Sequence, residues 1–542
     1  MKTGKFGSEK LRFLMAAVIL IQVLSLGYLA HVKKQYFIDE IYSYILSNSY
    51  EADCILRSDL YGRWVTGEDF LPLATVQEGE RFAYARTYYN NTMDAHPPFY
   101  YFLLHTVCSF FPGTLSKWLG IGLNLVLFIV TQILLFRLSR KIFGSTLWAL
   151  VPGVLYGSSL YAVNTAVLIR MYMLSALFTV LITYLHYRFV FEGERKKRYY
   201  AVFFLVTFLG VFTHYFFAVY TFFLAGATCV YLLVKKEFKP LFAYMAVMLS
   251  AVAAVFLVFP AGISQITGSE TNNISEEVSH SISAVSELPG HLYRYFRQIL
   301  DAVFAGLLAY RYAVLLIVLL TLAASAARAV IRKKKGIPEV KAEGKTGTAA
   351  AVLGGLLLLT YVLTAFLTGD FVYDRYFYNV IPLGCLFVTL LIFCFASLIR
   401  VDRSTVAVGV ILVACVSLYT IVSRQYGMYL YPNSDLEKVI EDCREKPMIL
   451  ISEGTAFPTG NYELLSSCEH VYLSKTDDFD MKKVLDGVDT ENGVCVMIFT
   501  DEYWGKAYDA DRILNEVVAD SDDLDTYYKY DDCTLGVIYV AQ

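Results

Sequence analysis

Apolar runs long enough to cross a bilayer recur in this chain from Leu11 to Val422. A hydrocarbon core about 30 Å thick needs about 20 mostly apolar residues per helix. No ordinary soluble core absorbs so many runs of that length. With 542 residues, 56% of them hydrophobic and only 18% charged, and a mean hydropathy of +0.49, the chain reads as a polytopic α-helical membrane protein. A length that would otherwise suggest several soluble domains is overridden by that composition.

The first run, Phe13 to Ala30, follows Lys10 and Arg12 and has no small-x-small cleavage site before His31. It reads as a retained helix rather than a removed signal peptide. Further spans are expected at about 118–136, 146–163, 170–190, 199–212, 214–234, 241–260, 309–330, 348–368, 376–398 and 405–423, eleven in all. The short basic connectors are Arg137 to Lys141, Gly193 to Arg198, Lys235 to Lys239, Ile331 to Gly336 and Arg400/Arg403. With eleven spans these connectors and the N-terminus fall on one side, which the positive-inside rule makes cytoplasmic. The apolar segment Pro97 to Pro112 is too short to span. Counting it would break the one-sidedness, so it is read as an aromatic-rich helix at the outer interface.

Charge divides the chain. Tyr431 to Gln542 holds nine Lys/Arg against twenty-five Asp/Glu, about −16, which leaves residues 1–430 near +13 within a total of −3. This marks an acidic soluble domain on a basic membrane body, with boundaries near 1–423 and 431–542. Nothing in the pattern suggests nucleic acid. Within the tail, Met448–Ser452, His470–Ser474, Val494–Thr500 and Leu535–Val540 read as strands, and Asp435–Arg444 and Asp511–Val518 as helices, so a small α/β domain is expected. Of ten cysteines, four (Cys443, Cys468, Cys495 and Cys533) lie there. Two could pair if the tail faces an oxidising space, but spacing does not say which.

Chemistry gathers in the first outer loop, 32–112. Asp39 and Glu40 open a helical pattern where the chain leaves the first span. Acids in a first turn suit the helix dipole, so capping alone would explain them. Neighbours on a helix point about 100° apart, so only one of the two can face a given site. At the loop's other end stands Asp94-Ala95-His96-Pro97-Pro98. The prolines hold His96 extended at the mouth of a helix, and Asp94 is either a cap or its functional partner. Arg170, His214 and the Tyr373-Asp374-Arg375-Tyr376 segment fall on the same outer side by the expected topology. A lone interfacial arginine often only snorkels, whereas charges converging at a membrane edge point to function. Arginine's forked donors suit a phosphate.

An Asp-Glu after the first span, an Asp-x-His-Pro-Pro with aromatics behind it, an Arg170-Met171-Tyr172 and a late Asp-Arg-Tyr with proline following resemble the GT-C membrane glycosyltransferases. The similarity is to the group of protein O-mannosyltransferases and aminoarabinose or galacturonosyl transferases, over roughly residues 10–400. The absence of any Trp-Trp-Asp argues against an oligosaccharyltransferase, and the acidic tail has no counterpart in the resemblance. The resemblance implies an inverting transfer, at the outer face of a cell membrane, of a sugar carried on a polyprenyl phosphate to an acceptor hydroxyl on a protein, lipid or glycan. It implies no cofactor and no metal. A phosphate is already a good leaving group, so one carboxylate base suffices, and no nucleotide fingerprint is present. In these terms Asp39 is the base, and Glu40, Asp94 and His96 shape the pocket. Arg170 and Arg375 hold the donor phosphate, with His214, Tyr373 and Tyr376 beside it. A transporter or polysaccharide polymerase is the alternative; paired halves with broken helices are not apparent.

Overall fold

The computed structural model describes residues 5–49, 60–267, 311–334, 344–368, 374–399 and 401–431, residues 289, 290 and 293, and, within the tail, 446–451, 462–474, 481–485, 494–500, 524–529 and 535–541. The expected tail helices Asp435–Arg444 and Asp511–Val518, and Tyr373, lie outside these residues. In chain order the helices are α1 (Lys5–Val32), α2 (Ile38–Asn48), α3 (Leu71–Ala74), α4 (Tyr84–Thr92), α5 (Phe99–Cys108), α6 (Lys117–Phe143), α7 (Thr146–Gly157), α8 (Leu160–Val167) and α9 (Tyr172–Phe191). There follow α10 (Lys197–Val211), α11 (Tyr215–Val234), α12 (Phe238–Val258), α13 (Ala261–Thr267), α14 (Arg311–Lys334), α15 (Gly344–Thr368), α16 (Ile381–Leu398) and α17 (Arg403–Arg424), then α18 (Tyr462–Ser467) and α19 (Met481–Leu485) in the tail. The backbone groups into two units. The first holds residues 1–33, 94–100 and 121–430, and the second holds 34–93, 101–120 and 431–542.

The first unit is a helical membrane body. Among the described residues nine helices are long and apolar enough to span, and a tenth span results if α7 and α8, bent by 60° at their junction, count as one. The remaining expected span is α10, which has 15 residues, about 22 Å of rise, short of the hydrocarbon thickness. The pairing of helix ends nevertheless agrees with the expected sidedness. Lys141 pairs with Glu192, Arg188 with Glu192 at 3.0 Å and Glu194 at 2.8 Å, and Arg195 with Glu237 at 3.2 Å. Phe143 packs on Phe393, whose ring lies 4.9 Å from the Arg403 guanidinium, and Arg332 reaches Asp402 at 3.0 Å. The described residues of the basic connectors thus meet at one end of the helices. Mid-bundle, Gln22 and Gln132 bond each other at 2.9 Å and both donate to the Gly153 carbonyl. Such interhelical bonds supply cohesion that apolar contact with lipid does not.

The second unit contains a six-stranded sheet in the order β1-β3-β2-β4-β6-β5. Strands β2 (Met448–Ile451), β3 (Val471–Ser474), β4 (Cys495–Thr500) and β6 (Leu535–Ala541) fall where alternation predicts them, and β5 is Leu524–Lys529. β2 runs parallel to both β3 and β4, while β6 is antiparallel to β4 and β5. The edge strand β1 (Trp64–Val65) comes from the first outer loop and pairs antiparallel with β3, Trp64 opposite Tyr472. The Trp64 indole N–H donates to the Val484 carbonyl at 3.2 Å. A strand so docked covers an edge that would otherwise template association.

Two measurements follow. A Cβ added at Gly67 would lie 2.6 Å from the backbone oxygens of Ser466 and Cys468, and backbone cannot rotate away. Gly67→Ala should therefore lower stability by about 1–3 kcal/mol, as overpacking does. Gly79→Ala, with nothing within 4 Å, should leave thermal unfolding of the full chain unchanged. Cys495 is disulfide-bonded, and disulfides persist in oxidising compartments. In protein isolated without reductant Cys495 should resist alkylation until a thiol is added; immediate alkylation would place the tail in a reducing space.

Candidate functional site

In the first unit, at the end opposite the basic connectors, the chain enters α5 through the two prolines. The Phe99 N–H donates to the Phe212 carbonyl at 3.1 Å, tying the start of α5 to the end of α10. Just before it, His96 Nδ1 and an Asp94 carboxylate oxygen lie 2.8 Å apart. The Asp94 carbonyl accepts from the Gln265 amide at 2.5 Å, and the Gln265 side-chain carbonyl accepts from the Tyr215 hydroxyl at 2.6 Å. His214 caps α11, its Nδ1 accepting the Phe216 N–H at 3.3 Å, so a neutral ring carries its proton on Nε2. The His96 and His214 rings stack with centroids 6.1 Å apart, and Tyr172 meets His214 edge-on at 5.4 Å. Arg170 and His214 are 6% and 4% exposed.

Burial pushes the Asp94 carboxyl up, but the His96 charge and hydrogen bond, the Arg170 charge and the Ala95 N–H together outweigh it. Asp94 therefore lies below the ordinary carboxylate range and stays ionised. Burial first, then the positive charges of His96 and Arg170, drives His214 well below the usual imidazole value. The cluster thus pairs one carboxylate with an imidazole and a buried guanidinium, beside a neutral imidazole. Arginine in such a place can take a phosphate bidentately. Arg375 lies over the Tyr376 ring at 6.0 Å, Tyr376 packs on Phe216 at 5.0 Å, and Phe216 on His214 at 5.2 Å. The structure therefore brings Asp94, His96, Arg170, His214, Arg375 and Tyr376 into one connected group.

Sequence reasoning did not single out Gln265, Asn164 or Tyr378, and it gave Tyr172 and Asp374 no role beyond their motifs. The Asn164 amide donates to the Tyr378 oxygen at 3.3 Å, and the Tyr378 hydroxyl donates to Asp374 at 3.1 Å. A lone asparagine within the apolar run 160–167 was the available signal, since an amide there needs a partner. Lys33 is also buried, donating to the Tyr429 carbonyl at 2.5 Å. Among the described residues no three His, Cys, Asp or Glu side chains form a metal-binding group.

In the second unit the two acids of α2 take separate parts. Glu40 is fully buried and its carboxylate accepts the Phe37 N–H at 2.6 Å, so Glu40 supplies the helix cap. Asp39 is half-buried, and its carbonyl accepts the Ser43 hydroxyl at 3.0 Å. The far end of α2 has orphan carbonyls that α4 satisfies. Thr87 donates to Ser47 at 2.8 Å, and the Asn90 amide to Leu46 at 3.3 Å and Ser49 at 2.9 Å. The Tyr44 hydroxyl donates to the Ser116 carbonyl at 2.7 Å and fixes the middle. Asp39 thus sits on a helix held at three levels.

The sign of the His214 shift gives a pH test. Its folded value is lowered, so its contribution to stability is complete above the unfolded histidine value of about 6.5 and is lost as pH falls below it. The loss approaches about 1.4 kcal/mol per pH unit. Asn caps a helix well and does not titrate, so His214→Asn should flatten the decline in thermal stability between pH 7 and pH 5. Parallel curves for both proteins would assign that decline elsewhere.

No family model and no curated protein sequence matches this chain. Solved structures do. The structure of ArnT from Cupriavidus metallidurans bound to undecaprenyl phosphate is 11% identical, with 97% of each chain covered and a TM-score of 0.51. The apo form of that protein gives 10% identity, 98% coverage of both chains and a TM-score of 0.39. The archaeal oligosaccharyltransferase AglB from Archaeoglobus fulgidus, in complex with an inhibitory peptide and a dolichol-phosphate, gives 11% identity over 97% of this chain and 74% of that one, with a TM-score of 0.41. On the backbone likeness to undecaprenyl-phosphate-bound ArnT, this chain has the GT-C fold of membrane glycosyltransferases.

Proposed function

We propose that the protein transfers a sugar from a polyprenyl-phosphate donor to an acceptor hydroxyl at the outer face of the membrane, with inversion and with one carboxylate as base. The observation that carries this reading is the convergence of Asp94, His96, Arg170 and His214 at the helix ends away from the basic connectors, in a chain of GT-C fold. Arg170 and Arg375 are the proposed phosphate ligands, with Tyr373 and Tyr376 against the lipid. That undecaprenyl phosphate is bound in the ArnT structure supports a ligand of the same class here.

Asp94 is a poor candidate for the base, because its carboxylate is committed to His96 and its proton affinity is depressed. Glu40 is committed to capping. Asp39 stands next to the capping acid at the start of α2 and is half-buried, and it is assigned the proton from the acceptor hydroxyl. The disulfide at Cys495 supports a tail outside the cytoplasm, as the positive-inside count requires.

The test is turnover of polyprenyl-phosphate sugars by the full chain in liposomes. Asn keeps the shape of Asp but cannot accept the proton, so Asp39→Asn should insert normally and lose about 10²-fold or more in rate. Glu40→Gln keeps an acceptor for the Phe37 N–H, so its main effect should be a stability loss of about 0.5–1 kcal/mol. Near-normal transfer by a well-folded Asp39→Asn protein would remove Asp39 from the mechanism.

A further inference from the structure

Tyr161 is out of keeping with its surroundings. Its side chain is fully buried, yet its hydroxyl is without a hydrogen-bond partner among the described residues. Buried polar atoms are nearly always bonded, and an exception calls for a ligand, a water or an ion. The Tyr161 ring meets Tyr378 edge-on at 5.5 Å, and Tyr378 meets Tyr172 edge-on at 5.8 Å. The three rings form an apolar wall inside the first unit. Tyr172 in turn touches His214, the neighbour of His96, so the wall adjoins the polar cluster.

The polar groups along this wall are oriented. The Met428 N–H donates to the Asn164 carbonyl oxygen at 2.9 Å, which leaves the Asn164 NH2 to face Tyr378, 3.3 Å away. With that lone pair occupied, the Tyr378 proton is directed to Asp374 at 3.1 Å. A carboxylate has about four lone-pair sites, and the Tyr378 hydroxyl and the Arg375 N–H engage two of them. Acceptor capacity therefore remains on a half-buried side chain. Tyr378, whose ring meets Tyr161 at 5.5 Å and whose hydroxyl bonds Asp374, puts the two groups in one locality, while they stand beyond hydrogen-bond distance of each other. Burial raises Asp374 against the lowering effects of Tyr378 and Arg375, as expected for an acceptor short of solvent.

Aromatic edges and faces, one carboxylate with spare acceptor sites and one phenol without a partner fit a ring whose faces are C–H and whose rim is hydroxyl. We propose that Asp374 and Tyr161 read the sugar of the donor, each bonding a different ring hydroxyl, with Tyr378 and Asn164 as positioning residues and the Tyr172 and Tyr378 rings as the wall. This assignment rests on the reading of the chain as a glycosyltransferase with a lipid-linked donor. It accounts for Tyr161, which neither phosphate binding nor the base requires.

The test uses the full chain in liposomes with a panel of polyprenyl-phosphate hexoses and pentoses, followed by the monodeoxy forms of the best donor. Tyr161→Phe should lose roughly tenfold in kcat/KM on the parent sugar, the worth of one hydrogen bond. One monodeoxy donor should bring wild type and variant together. Asp374→Asn should converge with wild type on a different monodeoxy donor, and neither change should alter affinity for undecaprenyl phosphate without a sugar. Because Tyr161→Phe removes an unpaired hydroxyl, the donor-free variant should melt no lower than wild type. A lower melting point would show that a structural water already satisfies the hydroxyl, and would overturn the assignment. So would unchanged transfer of the parent sugar, an equal loss on every deoxy donor, or a parallel loss of undecaprenyl-phosphate binding. Wild type that turns over the panel beside indiscriminate variants defeats this inference alone; wild type inactive on the whole panel defeats the transferase reading and this inference with it.

Discussion

The first unit depends on the mutual compensation of charges at the ends of membrane helices. A carboxylate removed from water costs several kcal/mol unless it is paired and hydrogen-bonded. Asp94 meets that condition through His96, Arg170 and the Ala95 N–H. The pairs around Glu192 and Glu237 differ in kind, because their side chains are between 22% and 39% exposed and each is worth at most about 1 kcal/mol. One end of the bundle is therefore fastened loosely by many weak pairs. The other is held by few groups that act on one carboxylate, Asp94.

The second unit solves a smaller version of the same problem. Its α2 begins with two acids, and the geometry of a helix lets only one bend back to the backbone. Glu40 does so and is lost to solvent, whereas Asp39 remains half-buried. Side chains of α4 take up the carbonyls at the opposite end of α2. Stability and chemistry are thus divided between adjacent residues, and the capping acid makes the position of its neighbour reproducible.

What could be read from the sequence follows the range of the interactions concerned. Span lengths and strand alternation are local, so the membrane body and strands β2, β3, β4 and β6 were legible. α10 was legible as an apolar run, and its length of 15 residues was not. The pairing of Asp94 with His96 spans two residues and was legible too, as was the polar break at His214. Gln265 meeting Asp94, or Tyr378 meeting Asn164, depends on how distant helices pack, and no periodicity encodes that. Trp64–Val65 carries no strand signal of its own. Two residues in a charged loop become a strand only because β3 offers them an edge.

That edge has a consequence in time. Trp64 and Tyr472 are paired across some four hundred residues. At a synthesis rate of about 5–20 residues per second, the loop waits roughly 20–80 s for its partner to be made. During that interval the loop has no sheet to join, and its apolar residues must rely on α2, α4 and α5 or on a chaperone. A ribosome that stops short of β3 would leave Trp64 and Val65 without the strand they pair with. Docking of β1 is therefore a late step in folding the first loop, whereas α4 and Ser116, which hold the helix that carries Asp39, are made early.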